Sequence, residues 1–164
     1  MISDYAGRAN DWDVTLGLNR RRHLDWDQIR EAANRGIEIG SHGRTHRDLS
    51  RLAPGELRSE LEGSKKTLED RLGREVSSLA LPFGAATLEV FLCARELGYR
   101  EICGGMPFRP GGILPGVLPR MPVYRGDTAR ALRRKLEMTL GERLRLNLLQ
   151  RCSVATRWLK RRTG

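Results

Sequence analysis

The chain is short of cysteine, of aromatic side chains and of long apolar runs, and each shortage narrows what it can be. Its three cysteines, Cys93, Cys103 and Cys152, are odd in number and form no CxxC pair. That spacing argues against a zinc ribbon or a disulfide-dense secreted scaffold and predicts free thiols in a reducing compartment. Aromatic residues are 5% of the chain. No apolar stretch nears the roughly 20 residues that a membrane-spanning helix needs. Met1-Ile2-Ser3-Asp4-Tyr5 lacks the basic head and apolar centre of a signal peptide. Histidine is scarce too: there are three, and none follows His46. Internal repeats and low-complexity segments are absent. What remains, at 164 residues, suits one soluble domain with one core, cytoplasmic or membrane-peripheral.

The charge is unevenly placed. The net value is +10, yet residues 127–164 hold 11 Lys/Arg against 3 Asp/Glu, and residues 1–126 hold 19 against 17. Basicity therefore belongs to the tail. This divides the chain into a body, 1–126, and a basic helical extension, 127–164, that could meet an anionic surface independently of the body.

Within the body, residues 1–23 show little periodicity and read as a long loop, with or without a short helix, and with His23 at the surface beside Arg20, Arg21 and Arg22. Asp25 reads as the N-cap of a helix running to Asn34, with Ile29 and Ala32 or Ala33 inward and Gly36 as its C-terminal stop. Gly36 to Gly40 alternates like a short strand. Pro54 opens a long helix whose Leu57, Leu61, Leu68 and Leu72 share a face and which ends at Gly73. Its acidic positions between Glu56 and Glu69 read as a solvated face. A strand over Val76–Leu81 closes on Pro82-Phe83-Gly84, a helix follows over 87–97, and Tyr99–Cys103 is the next strand. Residues 104–116, rich in Gly and Pro, form a loop. Val117–Val123 is strand-like but interrupted by two prolines, which suits a sheet edge. Asp127 or Thr128 caps a helix marked by Leu132, Leu136 and Leu140, and a last basic helix runs toward Lys160. Alternating strands and helices predict an α/β fold with a parallel sheet, whose ligands gather beyond the carboxyl ends of the strands.

Two segments fall at such ends: His42-Gly43-Arg44-Thr45-His46 and Pro82-Phe83-Gly84. Histidines four apart on a helical turn point the same way, so His42 and His46 could share one metal ion. Imidazole suits zinc and other first-row divalent metals. Trp12 and Trp26 could stack on sugar rings, although packing in a loop or core explains them better.

Ile37-Glu38-Ile39-Gly40-Ser41-His42 followed by Thr45-His46 resembles the second motif of the polysaccharide deacetylase family, the NodB homology domain of carbohydrate esterase family 4. Leu49, Leu52, Glu60-Leu61, Ser64 and Leu72-Gly73 are similar to the helix that follows in that family. Leu81-Pro82-Phe83-Gly84 resembles its third motif, and Arg95-Glu96-Leu97-Gly98-Tyr99 and Leu118-Pro119-Arg120 resemble later segments. The likeness covers about residues 1–126. It implies an incomplete, distorted (β/α) barrel lacking its first strand and helix, with the basic tail appended. It also implies a metal-dependent hydrolase that removes N-acetyl groups from an amino-sugar glycan or glycolipid. His42 and His46 would then be ligands of Zn²⁺ or another divalent ion, the N–H of Phe83 the oxyanion donor, and Pro82 and Arg120 contacts to substrate.

The chain departs from the family pattern at defined points. The Thr-Phe-Asp-Asp-Gly type first motif, source of the base and a third ligand, is absent. Asp4, Asp11, Asp13 and Asp48 are the acidic residues that could substitute. Ala80 or Leu81 stands where the third motif carries arginine, Gly43 replaces a hydroxyl residue, and the late Leu-x-His motif is missing. Two expectations follow: a truncated part of a longer deacetylase, or a catalytically inactive remnant that binds glycan or an anionic membrane through residues 127–164. Leucines and Trp158 interleaved with the basic residues suit a membrane surface. No nucleic-acid motif occurs, so nucleic acid is not an expected partner.

Overall fold

The computed structural model describes residues 1–10, 22–105, 114–124, 126–137 and 141. Helix α1, Trp26–Asn34, starts as its sequence demands: Asp25 accepts the Gln28 N–H at 2.9 Å, and the Gln28 side chain accepts the Asp25 N–H at 3.0 Å. This reciprocal cap satisfies donors the first turn would otherwise leave open. At the other end Gly36, with φ of 86°, donates to Ala33, and Ile37 donates to Ala32. These bonds form a Schellman stop that glycine enters without strain. They also hold Ile37 on the helix end. The strand expected over Gly36–Gly40 therefore does not form a ladder. Only Ser41 reaches the sheet, through a parallel bridge to Leu79.

Helix α2, Pro54–Leu72, runs between its proline start and Gly73 at φ of 65°. Leu57, Leu61 and Leu68 are buried, and Glu60 and Ser64 are buried among them. Strand β1, Ser78–Ala80, leads through a turn at Pro82–Gly84 into helix α3, Leu88–Glu96, capped by the Thr87 hydroxyl. Strands β2, Glu101–Gly104, and β3, Val117–Pro119, complete a parallel sheet ordered β1-β2-β3. The register sets Leu79 beside Ile102 and Ile102 beside Val117. This buried row meets Leu57, Leu61, Val90, Ala94 and Tyr99 in one core. Burying each of the larger side chains contributes about 2 kcal/mol. Beyond β1 the sheet is continued by backbone bonds rather than a regular strand. Ser41 N–H donates to Ser78, Ala80 N–H to Ser41, His42 N–H to Met1 and Ser3 N–H to Gly43.

Three further expectations change. The third strand stops at Pro119, and Val123 is exposed, because Pro119 and Pro122 have no N–H to extend a ladder. Helix α4, Ala129–Glu137, is capped by Thr128 but turns Ala131 and Lys135 inward, leaving Leu132 and Leu136 exposed. Its buried charge is matched locally: Lys135 pairs with Asp127, donates to the Pro122 carbonyl at 2.8 Å and lies 4.7 Å from the Tyr124 ring centroid. His23 packs edge-on against Tyr5 instead of lying free at the surface. Trp26 receives the Arg71 guanidinium over its ring, at 5.4 Å. Cys93 and Cys103 are free thiols. Trp12, Asp11, Asp13, Leu140, Cys152, Trp158 and the last basic helix lie outside the described residues. Among the described residues no helix is long and apolar enough to cross a membrane.

Candidate functional site

The site is built where residues 41–46 leave the sheet. The loop is not the helical turn that the HxxxH spacing suggested. Gly43 has φ of 78° and His46 has φ of 61°, and these two left-handed residues fold the chain back on itself. Glycine takes that conformation freely, whereas for histidine it is strained. The outcome is still convergence: the His42 and His46 rings lie 5.0 Å apart, centroid to centroid, tilted by 59°. Phe83 joins them, its ring 5.0 Å from that of His46. Phe83 itself has φ of 57° in the turn after β1. The two segments singled out in the sequence therefore meet.

The orientation of His42 is set by β1. Its Nδ1 lies 2.5 Å from the Ala80 carbonyl oxygen. A carbonyl only accepts, so Nδ1 carries the proton and Nε2 keeps its lone pair. Burial pushes the His42 pKa down to about 4, opposed by the bond to Ala80 and assisted by the positive surroundings of His46, the chain's amino terminus and Arg120. At neutral pH the ring is therefore uncharged, with a lone pair on a fixed nitrogen. This is the state required of a metal-ligating imidazole, and a backbone carbonyl on the second nitrogen is the usual way of holding it.

The surrounding charges have structural partners. Arg120 donates from Nη2 to Leu81 O at 2.7 Å and from Nε to Gly104 O at 3.2 Å, tying together the ends of β1 and β2. Pro82 is buried. Asp4 pairs with Arg44 at 3.1 Å, and Asp48 pairs with Arg51 at 3.1 Å while accepting from Ser50. Among the described residues no cluster of three or more His, Cys, Asp or Glu could enclose a metal ion. The two imidazoles thus fit two of the three protein ligands that a catalytic zinc site normally has, and the described residues do not complete it. A cleft of about 470 Å³ opens beside the loop, lined by Arg44, Thr45, Arg47 and the first turns of α2 rather than by either histidine.

The residue that sequence reasoning missed is Glu60. The acidic pattern of α2 predicts a solvated face for it, but it is 6% exposed and its carboxylate grips the histidine loop. Its position between Leu57, Leu61 and Ser64 on the apolar stripe was the available signal.

The sequence profile of the polysaccharide deacetylase family matches residues 2–102. The Bacillus subtilis protein YxkH, named as a polysaccharide deacetylase, is 27% identical over 111 residues, covering 68% of this chain and 39% of that relative. The crystal structure of BC0361, a polysaccharide deacetylase from Bacillus cereus, is similar with a TM-score of 0.63 at 25% identity, over 83% of this chain and 40% of that one. The Streptococcus pyogenes deacetylase PplD, solved with acetate, shares the fold with a TM-score of 0.62 at 20% identity, over 73% of this chain and 53% of that one. The chain therefore spans about half or less of the length of each. A profile match across more than half the sequence, in the segments that build the paired-histidine loop and the Pro82–Gly84 turn, shows that this chain belongs to the polysaccharide deacetylase family.

Proposed function

We propose that this chain is part of a metal-dependent hydrolase that removes N-acetyl groups from an amino-sugar glycan or glycolipid. One observation carries the reading: His42 is held neutral, with Nδ1 bound to Ala80 O, and its ring faces His46 at 5.0 Å. When bound, a divalent ion such as Zn²⁺ supplies water activation and carbonyl polarisation. His42 and His46 are the two ligands this chain would provide.

The remaining roles follow from amide chemistry. A tetrahedral oxyanion needs a fixed donor close to where charge develops. The Phe83 N–H, in the turn that brings its ring against His46, is assigned that role. Arg120, anchored at the ends of β1 and β2, and Pro82 are assigned to shaping the substrate side. The general base and third ligand are carboxylates that the described residues do not bring to the pair.

The test uses the chain together with any in-frame sequence encoded upstream of Met1, loaded with zinc. It should release acetate from an N-acetylglucosamine oligomer, and His42→Ala and His46→Ala should each abolish release and stoichiometric zinc binding. Release that survives both substitutions refutes the assignment.

A second reading, an inactive family member held at an anionic membrane, draws on α4, where exposed Leu132 and Leu136 lie among Arg130, Arg133 and Arg134. It is favoured if zinc binds without acetate release and if vesicle binding falls steeply with salt.

A further inference from the structure

Helix α2 does more than cover the sheet. Its buried face carries two polar side chains, Glu60 and Ser64, and both are spent on the loop that joins the two histidines. Glu60 Oε2 accepts the N–H groups of Arg44 and Thr45, each at 3.0 Å, and Oε1 accepts the Thr45 hydroxyl at 2.7 Å. Ser64, fully buried, donates to the Gly43 carbonyl at 3.2 Å. The Ser64 proton is thereby used, so the 2.9 Å contact between Ser64 and Ser41 is donated by Ser41. The Ser41 oxygen in turn accepts the Gly43 N–H at 3.2 Å. Every residue between His42 and His46 is held, directly, by one helix.

A buried carboxylate is costly unless its lone pairs are filled. Here three donors fill them, and all three come from Arg44 and Thr45. The loop also contains His46 in a left-handed conformation that an L-residue does not choose alone. Such strain persists only where the surroundings over-determine it. We propose that Glu60, seconded by Ser64, is a positioning residue that forces the loop into the shape in which the His42 and His46 rings converge. The inference rests on reading those histidines as the functional pair, but it concerns what sets their geometry.

The experiment compares the full chain with Glu60→Gln, which turns an amide group toward N–H donors, and with Glu62→Gln, the same charge change on the exposed side of α2. Metal-free NMR reads amide exchange at Arg44 and Thr45 and the inter-ring NOE between His42 and His46. Zinc affinity is read separately by chelator competition. In Glu60→Gln, exchange at Arg44 and Thr45 should rise about 10-fold or more while Ile102 stays protected. The inter-ring NOE should vanish, and zinc affinity should drop about 10-fold or more, the effect expected of groups that orient a ligand. Glu62→Gln should match the unaltered chain. Folded Glu60→Gln with unchanged loop exchange and an intact NOE overturns the proposal, as does exchange that rises equally at Ile102. Should Glu60→Gln not fold, Thr45→Val and Ser64→Ala decide: loss of the NOE in either supports the proposal, and retention in both overturns it. An unaltered chain that shows the NOE and protected amides but binds no zinc supports the positioning role, since the third ligand of the metal reading is not among the residues that shape the loop.

Discussion

His42 makes the acid stability of this protein predictable. In an unfolded chain it protonates near 6.5; in the folded protein burial holds its pKa at about 4. Between these values the unfolded state binds more protons, so folding stability falls as pH falls. The contribution is fully present above pH 6.5 and is lost as pH drops toward 4. Each pH unit within the window costs up to about 1.4 kcal/mol, and roughly 2.5 pH units give about 3 kcal/mol in total. Urea unfolding followed by circular dichroism at about pH 7.5, 6.5, 5.5 and 4 measures it. His42→Asn is the control, because its amide nitrogen can still donate to Ala80 O but does not titrate. The unaltered protein should lose about 3 kcal/mol more than this variant between pH 7.5 and 4. Parallel curves for the two proteins would refute the claim that burial holds His42 neutral. Carboxylates held low by partners, such as Glu69 beside Lys65, act in both proteins and cancel.

Two other predictions test the frame around the site. Gly84 has φ of 68°, and a Cβ there would lie 2.5 Å from the Gly105 backbone, whereas Gly73 has φ of 65° with nothing within 4 Å. Gly73→Ala should cost about 1 kcal/mol from conformation alone, and Gly84→Ala about 3 kcal/mol or more because backbone must move; equal falls in Tm would contradict this. Tyr99→Phe removes the bond from the buried hydroxyl to Leu61 O at 3.0 Å and should cost about 1 kcal/mol in urea unfolding. No loss would show that water or a neighbour replaces it.

The elements legible in the sequence are those whose signals are local. Pro54 and Gly73 bracket α2 because one fixes φ at a helix start and the other accepts φ > 0 at its end. Asp25 and Gln28 cap each other across three residues, so their cap is visible in the string. The paired histidines and Pro82-Phe83-Gly84 were readable as motifs, and they do meet. The expected helical turn from His42 to His46 was wrong, because Gly43 and His46 adopt positive φ under constraints from elsewhere. The face of α4 was misread for a similar reason: Lys135 goes inward because Asp127, Pro122 O and Tyr124 await it.

From the order of residues alone came the described helices with the caps and stops of α1 and α2, the family likeness and the identity of the two imidazoles. Tertiary structure decided how those imidazoles are aimed. The tautomer of His42 depends on a carbonyl 38 residues away, and the loop shape on a carboxylate 15 and 16 residues away. Backbone preferences act over a few neighbours, whereas desolvation and hydrogen bonding act between whatever groups folding brings into contact, and nothing in a one-dimensional string measures that distance.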